Sequence, residues 1–116
     1  MPTVAILIFP GVQALDVSGP MDVFAEANSF LPPAQHYSIE VLGTHEGLMR
    51  CSNGLPLAAH RHYSEAREAF DLLLVAGGPG LPALPRDAAL CAWLAQAAGK
   101  ARRHGAAHGR RPGRRH

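Results

Sequence analysis

The apolar residues of this chain form short continuous runs that are separated by turn residues. Thr3–Phe9 and Asp71–Ala76 are almost wholly apolar, which is typical of strands buried on both faces of a parallel sheet. Tyr37–Gly43 alternates between apolar and polar residues and predicts a third strand. Met49–Ser52 and Leu55–Ala59 flank an Asn-Gly pair, the strongest hairpin signal in the chain.

Helical spacing of apolar residues follows two of the predicted strands. We expect one helix to begin at Ser18, with that residue as N-cap and Pro20 in the first turn, and to end near Asn28. A short turn with Ser64 as cap and a helix over Arg86–Ala98 with Gly99 as its C-cap are also expected. Strands alternating with helices predict an α/β layered fold with a mostly parallel sheet.

Composition limits the class of protein. A chain of 116 residues with 47% hydrophobic and 17% charged residues can form one globular domain. The apolar run Val4–Phe9 is too short to span a bilayer, and it lacks the basic start and cleavage site of a signal peptide. Cys51 and Cys91 form no motif, so we expect reduced thiols, a cytoplasmic protein and no membrane partner.

Charge divides the chain into two unlike parts. Residues 1–99 hold nine acidic and four basic residues, whereas residues 100–116 hold seven basic and no acidic ones. Such a split is typical of a nucleic-acid-binding tail. From His104 onward, however, only His, Gly, Ala, Arg and Pro occur, which favours out-of-frame translation over a basic arm. We therefore expect residues 104–116 to be a disordered tail, separate from a domain over 1–103, with weak and non-specific nucleic-acid binding at most.

Polar or glycine residues follow two strands at the edge where open α/β sheets bind ligands. Asp16 follows the first strand, and it could act as an acid or serve only as a turn residue or extra helix cap. Gly77, Gly78 and Gly80 follow the Asp71–Ala76 strand and could present backbone N–H groups to an anion, or could form an ordinary tight turn.

Histidine and cysteine offer weaker candidates. His60 and His62 are two residues apart, so on a strand they would face the same side and could hold a metal, but no third ligand is near in sequence. A solvated face is the simpler interpretation, and we predict no metal site and no cofactor. Cys51 and Cys91 are more typical of packing residues than of nucleophiles, because neither follows a strand-to-helix elbow.

Two motifs carry a family resemblance. The segment Val4–Phe24, with Leu15-Asp16-Val17-Ser18-Gly19-Pro20, and the segment Asp71–Gly80 closely resemble ThiJ/PfpI-type domains over roughly residues 3–103. The subgroup that they resemble most forms the N-terminal half of AraC-type transcriptional regulators, and isonitrile hydratases are related to it. The resemblance implies a flavodoxin-like, class I glutamine amidotransferase-like three-layer sandwich that is usually a homodimer.

The resemblance also implies roles for the candidate residues. In the enzymes of the family, a cysteine lies on a sharp elbow after the next strand. A carboxylate from the first strand-to-helix loop, here Asp16, contacts it, and Gly77 or Gly78 would supply an oxyanion-binding amide.

The sequence departs from the family pattern after Arg103. His108 stands about where the cysteine belongs, and no apolar strand or elbow is recognisable. We therefore expect an incomplete, catalytically inactive ligand-sensing domain, whose full-length relative binds a small molecule near Asp16, Gly77 and Gly78 and binds DNA through a missing helix-turn-helix region. The alternative is a fragment of an isonitrile hydratase or amidase-like cysteine enzyme. In either case, we expect Thr3–Phe9 and Asp71–Ala76 to expose unpaired edges.

Overall fold

The structure, a computed structural model, describes residues 2–101 and 103–106. Its strands are β1 (Thr3–Ile8), β2 (Ser38–Gly43), β3 (Leu48–Arg50), β4 (Pro56–Ala58), β5 (Arg61–His62), β6 (Leu72–Val75) and β7 (Arg103–Ala106). Its helices are α1 (Leu15–Asn28) and α2 (Ala88–Lys100), with 3-10 turns at Pro33–Gln35, Tyr63–Glu65 and Leu81–Arg86. None of the helices in this described part has the length and hydropathy needed to cross a membrane.

The main sheet has five strands in the order β5-β2-β1-β6-β7, and every neighbouring pair is parallel. Strand β1 lies at the centre, where Ile6 is paired with Val41 on one side and with Leu74 on the other. Strands β3 and β4 form a separate antiparallel hairpin with Met49 opposite Leu57, as the Asn-Gly pair predicts. Because β1 and β6 are both interior strands, the expectation that they expose unpaired edges is wrong.

Side chains of β1 alternate between two apolar clusters, one on each face of the sheet. Val4, Ile6 and Ile8 pack with residues of α1 and the hairpin, whereas Ala5 and Leu7 pack with residues of α2. A strand buried on both faces has to be apolar at every position, which is why this segment is a continuous apolar run. The predicted α/β sandwich with a mostly parallel sheet is confirmed.

Helix α1 begins three residues earlier than the sequence predicts. Leu15 is its first residue, and the Ser18 Oγ donates a hydrogen bond to the Ala14 carbonyl at 3.2 Å rather than capping the helix. Pro20 therefore lies inside the helix, where its missing N–H falls opposite the Asp16 carbonyl. Burial of Val17 against the sheet, at 4% exposure, holds this early turn in the helix.

The other predicted caps also differ in the structure. Asp87 caps α2 by accepting a hydrogen bond from the Leu90 N–H at 3.0 Å, and Gly99 lies within the last turn. His62, rather than Ser64, caps the turn at Tyr63–Glu65, because its Nδ1 accepts from the Ser64 N–H at 3.2 Å. In both places the cap is the side chain of the residue directly before the turn or helix, and it accepts from a backbone N–H of the first turn that has no partner within the helix.

Strand β7 crosses the expected domain boundary at residue 103. Its backbone pairs in parallel with β6, with Arg103 opposite Leu72 and Ala106 opposite Val75. This strand contains no apolar run, so the sequence analysis did not recognise it, and backbone pairing needs no apolar side chains. Residues 107–116, including His108, lie outside the described residues, so the separate tail stays a prediction.

Candidate functional site

Asp16 and the glycine loop after β6 meet at the carboxyl edge of the sheet. Asp16 is the second residue of α1 and is half-buried. Its Oδ2 accepts a hydrogen bond from the Gly77 N–H at 3.2 Å, across 61 positions of sequence. The pairing of β1 with β6 produces this meeting, because the loops that follow two adjacent parallel strands leave the sheet at the same edge.

The two loops are packed backbone against backbone. The Gln13 N–H donates to the Gly77 carbonyl at 2.8 Å, and the Gly80 N–H donates to the Gly11 carbonyl at 3.3 Å. Gly78 has φ +139°, and a Cβ atom there would lie 2.5 Å from the Gly11 carbonyl oxygen and 2.6 Å from the Gln13 nitrogen. Close packing of the loops is therefore enough to require glycine at this position.

The family resemblance implies an amide donor at Gly77 or Gly78, and the two amides differ in their hydrogen bonds. The Gly77 N–H is bonded to Asp16. Among the described residues, the Gly78 N–H has no acceptor. Of the two amides, that of Gly78 is the one that a ligand could engage without displacing the Asp16 carboxylate.

The hairpin supports the first loop from its other side. The Gly11 N–H donates to the Arg50 carbonyl and the Ser52 N–H donates to the Val12 carbonyl, both at 2.9 Å. The loop that carries Asp16 into α1 is thus bonded to the hairpin on one side and to the glycine loop on the other. The sequence analysis did not identify Gly11 as a candidate, so it missed the contribution of this residue to the arrangement.

Neither described cysteine has the surroundings of a nucleophile. Cys51 is 4% exposed within the apolar cluster on the α1 face, and burial raises the pKa of its thiol. A raised pKa keeps the sulfur in the unreactive thiol form. Cys91 is exposed on α2, with its Sγ 3.7 Å from the Pro85 carbonyl oxygen.

The two histidines fasten the edge strand β5. The Nδ1 of His60 accepts from the Val41 N–H at 2.8 Å, and the Nε2 of His62 lies 3.2 Å from the Thr44 carbonyl oxygen. Across residues 2–101 and 103–106, no His, Cys, Asp and Glu side chains are grouped so that they could hold a metal ion.

An ion cluster beside these histidines was not expected from the sequence. Arg61 forms two hydrogen bonds to Glu40, at 2.6 and 2.9 Å, and a third to Glu68. Glu40 lies 21 positions before Arg61 in the sequence, and Glu68 lies 7 positions after it. The three residues follow no sequence motif. Only the register of β5 against β2 brings them together.

The fold and the glycine loop define an α/β domain with its candidate site at the carboxyl edge of a parallel sheet, and comparison with known proteins identifies its family. Residues 2–109 match the DJ-1/PfpI family. The chain therefore belongs to the DJ-1/PfpI family.

One curated relative and two solved structures show the extent of the match. An uncharacterized protein in the cpoL 5' region of Streptomyces lividans is 37% identical over 82 residues, which are 71% of this chain and 55% of the relative. A DJ-1 superfamily protein from Salmonella typhimurium has a TM-score of 0.72 and 24% identity, over 85% of this chain and 51% of that one.

A ThiJ/PfpI family protein from Pseudomonas syringae has a TM-score of 0.77 and 20% identity, over 90% of this chain and 41% of that one. These structural similarities establish the fold. The chain spans about half the length of the curated relative, at 55%.

Proposed function

We propose that this chain is the ligand-recognition part of a DJ-1/PfpI domain that serves as the sensor of an AraC-type transcriptional regulator. The observation that carries the proposal is the hydrogen bond from the Gly77 N–H to Asp16. It fixes the Asp16 carboxylate against the residue that precedes Gly78, and we infer that this acceptor and the Gly78 amide donor act together at the ligand-binding edge of the sheet. A small polar molecule can be recognised by such a pair without a nucleophile.

The surroundings of the thiols favour a sensor over a cysteine enzyme. Catalysis of hydration or amide cleavage by cysteine needs a thiolate with an acid or base within hydrogen-bond reach. Cys51 is buried with a raised pKa, and Cys91 lies on α2, which covers the other face of the sheet from α1. In the proposed regulator, DNA would be contacted by a separate helix-turn-helix region, as the resemblance to AraC-type regulators implies.

Ligand binding at Asp16 can be tested by thermal denaturation in the presence of small polar metabolites. We expect at least one compound to raise the Tm of the chain, and Asp16→Asn to abolish that rise, because the amide loses the negative charge at nearly unchanged shape. Asp22→Asn is the matched control, since Asp22 is an exposed acid of the same helix. A rise that survives Asp16→Asn, or no rise with any compound, contradicts the proposed site.

Enzyme assays test the alternative. We expect no turnover of isonitriles, amides or dicarbonyl compounds above the buffer rate, either by the chain or by its Cys51→Ser, Cys91→Ser double variant. Turnover by the chain that the double variant lacks would show a cysteine enzyme and would refute the inactive sensor.

A further inference from the structure

A groove of about 370 Å³ lies between α2 and the segment Tyr63–Glu68. It is on the α2 face of the sheet, whereas α1, which carries Asp16, covers the other face. Its volume is within the range of small-molecule sites in proteins. The proposed function does not use this groove.

The aromatic wall of the groove is held rigidly. The Trp93 indole Nε1–H donates to the Ala66 carbonyl at 2.8 Å, which fixes the ring plane. The Tyr63 ring packs edge-on against it, with ring centroids 5.3 Å apart at 65°. Because Trp93 is only half-buried, part of the fixed indole borders the groove. A fixed aromatic surface of this kind can pack against a flat apolar ring.

Small side chains keep the space beside Trp93 open. The α2 wall contributes Ala89, Ala92 and Ala97 together with Gln96. Ala89, Ala92 and Gln96 recur every three or four residues and Ala97 is adjacent to Gln96, so these positions lie along one side of the helix. Larger side chains there would fill the groove.

Among the residues that the structure describes, two cations border the groove. Arg67 and Lys100 both line it, and the Lys100 Nζ donates to the Arg67 carbonyl at 3.0 Å, which joins α2 to the opposite wall. The one acid in the lining, Glu68, is ion-paired with Arg61 outside the groove. The groove therefore offers positive charge beside an apolar wall, and the negative charge of Glu68 is compensated by Arg61.

We propose that this groove binds a small organic anion with a flat apolar body, of the aromatic carboxylate class. The ring packs against the Trp93 indole and the neighbouring alanines of α2, and the carboxylate pairs with the Arg67 guanidinium, whose planar N–H groups match two carboxylate oxygens. Lys100 adds a second positive charge. Apolar contact and charge thus act on opposite ends of one ligand.

Trp93 provides a direct probe of binding, because it is the only tryptophan in the chain. Benzoate is titrated while Trp93 emission is recorded, with the neutral isostere benzamide as comparison. We expect a saturable change of emission with benzoate at millimolar concentration and binding of benzamide that is weaker by about twofold to fivefold, the effect of one exposed ion pair. Arg67→Gln is expected to weaken benzoate binding by a similar factor and to leave benzamide binding unchanged.

Two matched control variants test whether the loss of benzoate binding is specific to substitutions in the groove. Arg86→Gln removes an exposed cation that does not line the groove, and Ala95→Phe adds a ring on another side of α2; both should bind benzoate as the parent does. Ala92→Phe should fill the groove and abolish the emission change. Equal binding of benzoate and benzamide, or unchanged benzoate binding by Arg67→Gln or Ala92→Phe, would overturn the proposal. The Asp16→Asn variant should bind benzoate normally, which distinguishes this site from the proposed sensor site.

Discussion

At the scale of single residues, the glycines of the candidate site are fixed by the contact between two loops. Gly78 combines a φ of +139° with backbone atoms of the neighbouring loop at the position of its missing Cβ. Gly47 also has a positive φ, +75°, but nothing lies within 4 Å of its Cβ position. A comparison of Gly78 with Gly47 therefore separates two contributions to the free energy of unfolding: the cost of a positive φ and the cost of a steric clash at the Cβ position.

Gly78→Ala should therefore destabilise the fold far more than Gly47→Ala. We expect Gly47→Ala to lower the free energy of unfolding by about 1 kcal/mol, the usual cost of a left-handed residue. For Gly78→Ala we expect a loss of about 3 kcal/mol or more, because the loops have to separate. Urea denaturation of both variants measures the difference. Equal losses would show that the loops are not in contact in solution.

At the scale of elements, the edge strand β5 depends on side chains for its attachment. It has only two residues, which pair with Leu42 and Gly43 of β2. The Arg61 side chain adds hydrogen bonds to Glu40 and Glu68. The hydrogen bond to Glu40 raises the pKa of the Arg61 guanidinium further, so the guanidinium is charged at every accessible pH. The arginine therefore keeps its charge when the solution is acidified.

The response to acid is expected to involve Glu68. Its own backbone N–H and the Arg61 guanidinium lower the pKa of the Glu68 carboxyl below its ordinary value of 4.5, although burial acts the other way. A pKa lowered by folding contributes stability above about 4.5, and that stability is lost as the pH falls through the folded pKa.

We therefore expect the free energy of unfolding to fall below pH 4.5, and to fall less steeply in Glu68→Gln. Urea denaturation at a series of pH values measures the slope. Glu46→Gln, which removes an exposed acid with no ion pair among the described residues, should retain the parent slope. A parental slope in Glu68→Gln would exclude this carboxyl from the acid response.

At the scale of the whole molecule, the sheet supplies most of the core and the helices cover it through few buried side chains. Five of the six residues of β1 are buried, whereas Val17 is the only buried residue of α1 and Leu90 the only one of α2. The three-layer arrangement therefore depends strongly on single contacts between each helix and the sheet.

Leu90→Ala should loosen the α2 layer. Leu90 is fully buried in the cluster of β1 and β6 residues on that face, so we expect a loss of about 2–5 kcal/mol and increased binding of an apolar dye such as ANS. Leu81→Ala is the control, because Leu81 is 36% exposed and should cost less than about 1 kcal/mol. Urea denaturation and dye fluorescence check both variants, and similar losses would mean that Leu90 does not anchor the layer.

The sequence by itself determined strands β1, β2 and β6, the hairpin of β3 and β4, and the fold class of this protein. Continuous apolar runs and an Asn-Gly pair are local signals, and Thr3–Phe9 differs from the observed β1 by one residue. The two motifs around Asp16 and Gly77 also indicated a ThiJ/PfpI-type domain, which the match to the DJ-1/PfpI family confirms.

Only the tertiary structure decided how these elements meet. The hydrogen bond between Asp16 and Gly77 spans 61 positions, and it depends on the pairing of β1 with β6, which no local pattern encodes. Strand β7 has no apolar run and forms because β6 offers unpaired backbone groups on its free side. Helix α1 begins at Leu15 because burial of Val17 outweighs the capping preference of Ser18. In each case, contact with a distant segment overrides a weaker local preference.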